Sequence, residues 1–146
     1  PAPIRTQISI AELFTDLKKL FPEEEFQFEV PTPELKLNAD RTQIEQILIN
    51  LLKNAREACS RKSDKKIQVK ARKLSAGNTT LTISDNGEGI LPDVLDKIFV
   101  PFFTTKTSGS GIGLSLCKQI MTLHEGSINV KSEVGKGSSF ILTFPK

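Results

Sequence analysis

The sequence has few of the residues on which metal, redox and membrane sites depend. Its 146 residues include one histidine, two cysteines and one methionine, with neither tryptophan nor tyrosine. Cys59 and Cys117 lie far apart and form no CxxC pattern. They therefore indicate small buried thiols in a reducing compartment rather than a metal centre or a disulfide framework.

Long apolar runs and strong charge are also missing. No apolar run approaches the roughly 20 residues that cross a bilayer, and no charged-then-apolar leader is seen. We therefore expect this domain to make no direct membrane contact. The net charge of +3 is small and scattered, which argues against a nucleic-acid partner. The chain begins "PAPIRTQ" without Met, which is typical of a cut or a linker. We expect one domain of a longer protein.

Apolar periodicity predicts a mixture of helices and strands in a single domain. Helices are predicted over 10–20, 41–59 and 111–123, the first two beginning at capping residues Ser9 and Asp40. In the last helix the predicted inward residues are Ile112, Leu116, Ile120 and Leu123. Strands are predicted near 4–8, 26–30, 34–40, 67–71 and 81–83, followed by a closing hairpin that turns at 135–137. Because the order is no regular βαβ alternation, it favours an α+β sandwich.

The second helix carries an unusual polar line. Asn50, Asn54 and Glu57 are spaced by four and three residues, so they share one face beside the apolar stripe. Asn is a mediocre helix former. One interpretation is an ordinary solvated face. The other is that the Asn54 side-chain oxygen is a hard ligand for Mg²⁺.

The stretch "ISDNGEGI" places a carboxylate at the end of a buried strand. Strand parity puts Asp85 on the same face as Leu81 and Ile83, where a carboxylate is costly unless it is hydrogen-bonded. Gly87 and Gly89 then turn the backbone and open room beside it. The amino group of a bound base would satisfy Asp85. The alternative is a turn that swings Asp85 out to solvent.

The stretch "PFFTTKTSGSGIGLSL" places three alternating glycines, Gly109, Gly111 and Gly113, directly before a predicted helix. Glycines let a backbone approach an anion closely, and the free N–H groups at a helix start favour negative charge. Lys106 and several hydroxyls add a cation and donors. The stretch matches neither the P-loop nor the dinucleotide fingerprint. It is therefore either a different phosphate-binding scheme or a flexible connection.

Taken together, these motifs resemble the ATP-binding catalytic domain of sensor histidine kinases, within the GHKL superfamily. "NLLKNAREA" is similar to the N box, "DNGEGI" to the G1 box, "IFVPFFTT" to the F box, "GSGIGLSL" to the G2 box and "GKGSSF" to the last glycine motif. The resemblance runs from about Asp40 to Phe144. "PFFTTK" further resembles kinases of the nitrogen-regulation type.

The resemblance implies a Bergerat-type two-layer α/β sandwich, with a mixed sheet and three main helices on one face. It implies ATP and Mg²⁺ as ligands, with Asn54 on the metal, Asp85 on the adenine amino group and a lid over about 91–110. Phe99 and Phe102 would anchor the lid. The catalytic residues it implies are Asn50, Asn54 and Lys106. The nucleotide-binding residues it implies are Asn50, Asn54, Glu57, Asp85, Gly87, Gly89, Ile90, Phe99, Thr105, Lys106, Gly109, Gly111, Ile112, Gly113, Leu114 and Ser138.

Two positions depart from related patterns. Many sensor kinases have Lys or Arg where this chain has Glu57, so the positive charge on the phosphates must come from Lys106 or Lys53. Related ATPases carry a water-activating Glu where this chain has Asn50. An amide cannot act as a general base, so hydrolysis should be poor and the γ-phosphoryl group should pass to an external nucleophile.

The resemblance also implies partners that these residues do not contain. The sequence has no H-E-x-x-x-P acceptor helix, and His124 at the end of a helix is expected to be structural. We therefore expect a cytoplasmic domain that donates the γ-phosphoryl group to a histidine on a separate helix-pair domain of the same protein. The chain alone should not autophosphorylate. A response regulator would act downstream, and the parent would be a homodimer, either free or anchored in the inner membrane. The alternatives are a GHKL-type protein-serine kinase of the anti-sigma kind and a nucleotide-binding regulatory module.

Overall fold

The computed structural model describes residues 2–103 and 113–146. Its elements follow the predicted order closely. The helices are α1 (Ile10–Leu20), α2 (Arg41–Ala58), the single turn α3 (Pro92–Leu95) and α4 (Gly113–Leu123). The strands are β1 (Thr6–Ser9), β2 (Phe26–Glu29), β3 (Lys36–Ala39), β4 (Ile67–Lys73), β5 (Thr79–Asp85), β6 (Ser127–Glu133) and β7 (Gly137–Phe144).

Five strands form one mixed sheet in the order β2-β4-β5-β7-β6. The β2–β4 pair is parallel and the other neighbours are antiparallel. A second, two-stranded sheet pairs β1 with β3. The register places Asp85 at the end of β5 opposite Ser138 on β7. The predicted α+β sandwich with a mixed sheet is confirmed.

The core lies between one face of the large sheet and the helices. Alternate residues of the strands point into it, as period-two burial requires, and α2 contacts both α1 and α4. The buried stripe of α2 consists of Ile44, Ile47, Leu48, Leu51, Leu52 and Ala55. These are the residues whose spacing predicts the helix.

Helix α4 differs from its prediction in which residues it buries. The buried positions are Cys117, Ile120 and Met121, whereas Leu123 is 40% exposed. His124 takes the inward position at the helix end and is only 2% exposed. The predicted start at residue 111 and the inward position of Ile112 lie outside the described residues.

Both predicted caps are present. The Ser9 hydroxyl accepts from the Glu12 backbone N–H at 3.2 Å, and an Asp40 carboxylate oxygen accepts from the Gln43 N–H, also at 3.2 Å. Both cysteines are buried and unbridged. Within the described residues, no helix combines the length and hydrophobicity needed to span a bilayer.

Candidate nucleotide site

A cavity of about 790 Å³ opens between α2, the loop after β5, α3, the start of α4 and the end of the β6–β7 hairpin. This volume suits a nucleotide-sized ligand. Its described lining includes nine of the predicted site residues: Asn50, Asn54, Glu57, Asp85, Gly89, Ile90, Gly113, Leu114 and Ser138. The N-box helix and the DxGxG loop therefore face one another across a single space.

The polar line of α2 forms one wall of the cavity. The Asn54 side-chain amide donates to the Asn50 side-chain oxygen at 3.4 Å, a long hydrogen bond within one helix face. A Cβ on Gly113 would lie 2.3 Å from the Asn50 amide nitrogen. The start of α4 therefore packs directly on the asparagine face, and only glycine allows this approach without moving the Asn50 amide.

Asp85 forms the opposite wall. It is half-buried, and burial raises the pKa of its carboxyl even though backbone N–H groups of Gly87 and Ser138 lower it. The Gly87 N–H donates to Asp85 Oδ1 at 2.8 Å. The carboxylate therefore lies along the cavity wall, and its charged form is under-solvated there. A donor supplied by a ligand would offset that cost.

Gly87 and Gly89 act through close packing of the loop. A Cβ on Gly87 would lie 2.5 Å from the Ala58 carbonyl oxygen, at the end of α2. Gly89 has a φ of +78°, and a Cβ there would lie 2.4 Å from the Glu133 carbonyl oxygen. Gly87 is not among the residues that line the cavity. Its small size instead lets the Glu88 N–H reach the Ala58 carbonyl at 3.1 Å, which ties the loop to α2.

The β6–β7 hairpin supports the loop from the other side. A Cβ on Gly137 would lie 2.0 Å from the Asp85 carbonyl oxygen. Ser138 is 6% exposed and lines the cavity. Its hydroxyl lies 2.8 Å from that of Ser132, which also accepts from the Ile90 N–H at 2.8 Å. The sequence interpretation misses Ser132. The available signal is strand parity, which puts Ser132 on the inward face with Ile128 and Val130.

Some predicted residues lie elsewhere. Phe99 lines a separate depression beside α4, where the Lys118 ammonium lies 5.6 Å from its ring centre. Phe102 is 74% exposed with a φ of 68°, and Phe103 lines the main cavity instead. Five predicted residues lie outside the described residues, namely Thr105, Lys106, Gly109, Gly111 and Ile112.

The charged groups along the described part of the cavity are mostly acidic. Glu57, Asp85 and Glu88 line it together with a single cation, Lys53. Glu57 and Lys53 are exposed at its edge. A polyanionic ligand therefore needs positive charge beyond Lys53 if it is to be held there.

Comparison with known proteins agrees with this geometry. Residues 39–146 match the sequence model of a family described as histidine kinase-, DNA gyrase B-, and HSP90-like ATPase. The sensor histidine kinase ZraS of Salmonella typhimurium is 40% identical over 110 residues, which is 75% of this chain and 23% of ZraS. The chain therefore spans less than a quarter of the length of that relative.

Two solved structures have the same fold as this chain. The nucleotide-free catalytic domain of histidine kinase ThkA is 35% identical, with a TM-score of 0.85 over 98% of this chain and 96% of that one. ThkA in complex with the response regulator protein TrrA is 31% identical, with a TM-score of 0.79 over 99% of this chain and 42% of that one. The chain belongs to the family of histidine kinase-, DNA gyrase B- and HSP90-like ATPases. Within that family it is an ATP-binding domain of the histidine-kinase type.

Proposed function

We infer that this domain binds Mg²⁺-ATP and donates the γ-phosphoryl group to a histidine on a separate phosphoacceptor helix pair of its own protein. One observation carries the inference: Asn54 and Asp85 line the same cavity, on walls formed by α2 and the end of β5. Asp85 offers a carboxylate to the amino group of a base. Asn54 and the start of α4 lie where the phosphates would follow.

The side chains on α2 fit a magnesium ion. Mg²⁺ takes oxygen ligands and usually keeps waters and substrate phosphates as the rest of its shell. Asn50, Asn54 and Glu57 offer amide and carboxylate oxygens on one helix face. Asn54 would hold the ion beside α2, where it would supply positive charge against the phosphates. Lys106 and Lys53 are the cations assigned to the remaining phosphate charge.

Transfer rather than hydrolysis is favoured by Asn50. Its amide cannot take a proton from water, so the chain lacks a general base at the position where related ATPases carry Glu. The domain's part in the reaction is then to position ATP and to neutralise charge as the phosphoryl group leaves. The attacking nitrogen must come from outside the cavity.

His124 does not supply that nitrogen. It is 2% exposed, its Nε2 accepts from the Asp40 N–H at 3.0 Å, and its Nδ1 lies 2.9 Å from the Ile120 carbonyl. With both ring nitrogens engaged inside the fold, it cannot reach a nucleotide. The acceptor is therefore assigned to a separate domain of the parent protein, which we propose to be a cytoplasmic homodimer.

A response regulator is the proposed downstream partner, since ThkA is solved in complex with the response regulator protein TrrA. The "PFFTTK" segment continues to predict the nitrogen-regulation type, and Lys106 within it lies outside the described residues. The parent is either free in the cytoplasm or anchored in the inner membrane.

The binding half of this proposal is tested by calorimetric titration with a non-hydrolysable ATP analogue, with Mg²⁺ and with EDTA. We expect micromolar binding that Mg²⁺ strengthens and that Asp85→Asn weakens by about 10- to 100-fold, as expected for loss of a charged hydrogen bond. Asp64→Asn removes an exposed carboxylate that does not line the cavity, and it should bind like the wild type. No binding by a folded wild-type chain would overturn the proposal.

The transfer half is tested with radiolabelled ATP and the separately expressed phosphoacceptor helix pair of the parent. We expect label on the helix pair that acid removes and base does not, as for a phosphohistidine. The chain incubated alone should take up no label. Acid-stable label on a serine would instead favour a protein-serine kinase.

A further inference from the structure

We propose that Ser132 is a positioning residue for ATP: its hydroxyl sets the direction of the Ser138 hydroxyl in the cavity and holds the backbone of Ile90 at the cavity wall. The proposal deepens the proposed function and depends on it. Ser132 lies near the end of β6, faces the same side of the sheet as Val130, and does not line the cavity itself.

Ser132 is joined to three groups within hydrogen-bond distance. It accepts from the Ile90 N–H at 2.8 Å, lies 2.8 Å from the Ser138 hydroxyl, and lies 3.2 Å from the Gly137 carbonyl. A serine hydroxyl has one proton and two lone pairs. Because the Ile90 N–H occupies one lone pair, the single proton has two possible acceptors, and the choice between them determines what Ser138 presents.

In the first arrangement Ser132 donates to the Gly137 carbonyl. Ser138 then donates to Ser132, and only oxygen lone pairs of Ser138 are left toward the cavity. In the second arrangement Ser132 donates to Ser138, so the Ser138 proton turns toward the cavity. The Ser138 hydroxyl is thus an acceptor in one case and a donor in the other. Either atom of the 2.8 Å contact between Ser132 and Ser138 can be the donor, so both arrangements fit this geometry.

The chemistry of adenine selects the second arrangement. The amino group that donates to Asp85 is flanked by ring nitrogens that only accept. A base seated on Asp85 therefore needs a donor beside the carboxylate, either directly or through one water. Ser138 stands opposite Asp85 in the strand register and lines the same cavity. When Ser132 donates to Ser138 instead of to the Gly137 carbonyl, the Ser138 proton is free to be donated to the base.

The same hydroxyl also holds the base of the lid. Ile90 lines the cavity and directly precedes the predicted lid segment. Its N–H has Ser132 as acceptor, while the Gly135 N–H donates to the Glu88 carbonyl at 2.9 Å. Loss of the Ser132 hydroxyl therefore frees Ser138 and removes the acceptor of the Ile90 N–H in one step.

The test measures ATP, 1-deaza-ATP and 7-deaza-ATP binding by calorimetry with Mg²⁺, in the wild type and in Ser132→Ala. 1-Deaza-ATP lacks N1, which is bonded to the amino-bearing carbon, and 7-deaza-ATP lacks N7, which lies on the other side of the amino group. The wild type should prefer ATP over one analogue by about 3- to 10-fold, the value of one hydrogen bond. Ser132→Ala should weaken ATP binding and reduce that preference to less than about 2-fold, as one lost hydrogen bond requires.

The chain offers a control serine on β7, next to Ser138 and on the opposite face of that strand. The Ser139 hydroxyl lies 2.8 Å from that of Ser84, and neither residue lines the cavity. Ser139→Ala should therefore leave both ATP affinity and the analogue preference as in the wild type. Ser132→Thr keeps the hydroxyl and should restore both. If Ser132→Ala does not fold, Ser132→Cys, a weaker donor of similar shape, should give an intermediate preference.

The outcomes separate this inference from the proposed function. If the wild type binds ATP but Ser132→Ala weakens ATP and the analogues equally, Ser132 has only a structural role and the inference fails alone. An unchanged affinity in Ser132→Ala overturns it in the same way. If the wild type binds no ATP, both the proposed function and the inference fail.

Discussion

Two carboxylates of this molecule differ in how their polar atoms are paired. Asp40 lies at a junction between the start of α2 and His124 at the end of α4, and Asp85 lies in the cavity wall. At the junction, Asp40 accepts from the backbone N–H groups of Ile4 and Gln43, and its own N–H donates to His124. At the cavity, burial raises the pKa of Asp85 by more than the backbone N–H groups of Gly87 and Ser138 lower it. The pKa of Asp40 is accordingly lowered, chiefly by the Ile4 N–H, whereas the pKa of Asp85 is raised by burial.

A carboxylate's contribution to folding stability therefore depends on whether the folded chain already supplies its hydrogen-bond donors. Asp40 has its donors within the chain, so its charged form stabilises the folded state. Asp85 has too few, so its charged form costs stability until a ligand supplies one. A group of the second kind is expected at a functional site rather than in a structural network.

The largest expected effect comes from breaking the junction. His124→Ala leaves the Asp40 N–H without its acceptor and opens a cavity beside Phe144, whose ring centre lies 6.3 Å from the imidazole. We expect the free energy of unfolding to fall by about 2–4 kcal/mol, measured by urea denaturation. His124→Gln keeps an acceptor near the position of Nε2 and should lose less. Equal losses in the two variants would show that the hydrogen bond contributes little.

A smaller effect of opposite sign is expected at the cavity. Asp85→Asn removes the under-solvated charge, so the unliganded variant should be more stable than the wild type at neutral pH. The two proteins should be equally stable below the ordinary carboxyl pKa of 3.8. The gap should open as pH rises from 3.8 through the raised pKa of folded Asp85, because the unfolded wild type ionises there first. Thermal unfolding across this range measures it, and a pH-independent gap would contradict the assignment.

The smallest expected effect on stability comes from removing the charge of Asp40. Asp40→Asn keeps a good N-cap and removes only the charge. The wild type should be the more stable protein above pH 3.8, and this advantage should fade as pH falls from 3.8 through the lowered pKa of folded Asp40. As pH rises, the wild type therefore gains stability relative to Asp40→Asn, whereas it loses stability relative to Asp85→Asn. Denaturant titrations at several pH values measure it, and ATP affinity should not change.

Much of the fold could be predicted from the sequence because its signals are local. The apolar spacing of α2, the Ser9 and Asp40 caps and the alternation of the strands involve residues within a few positions of one another. The inward direction of Asp85 also follows from parity along a single strand. Such features need no knowledge of what packs on the other side.

The rest required contacts between distant residues. The Asp40–His124 bond joins positions 84 apart in sequence, and Ser132 reaches Ile90 from 42 positions away. Leu123 satisfies the helical period of α4, yet His124 takes the buried place beside Phe144. The sequence by itself determined the elements and the motif residues. Only the tertiary structure decided which of them share the cavity, because register and helix packing set distances that local periodicity does not carry.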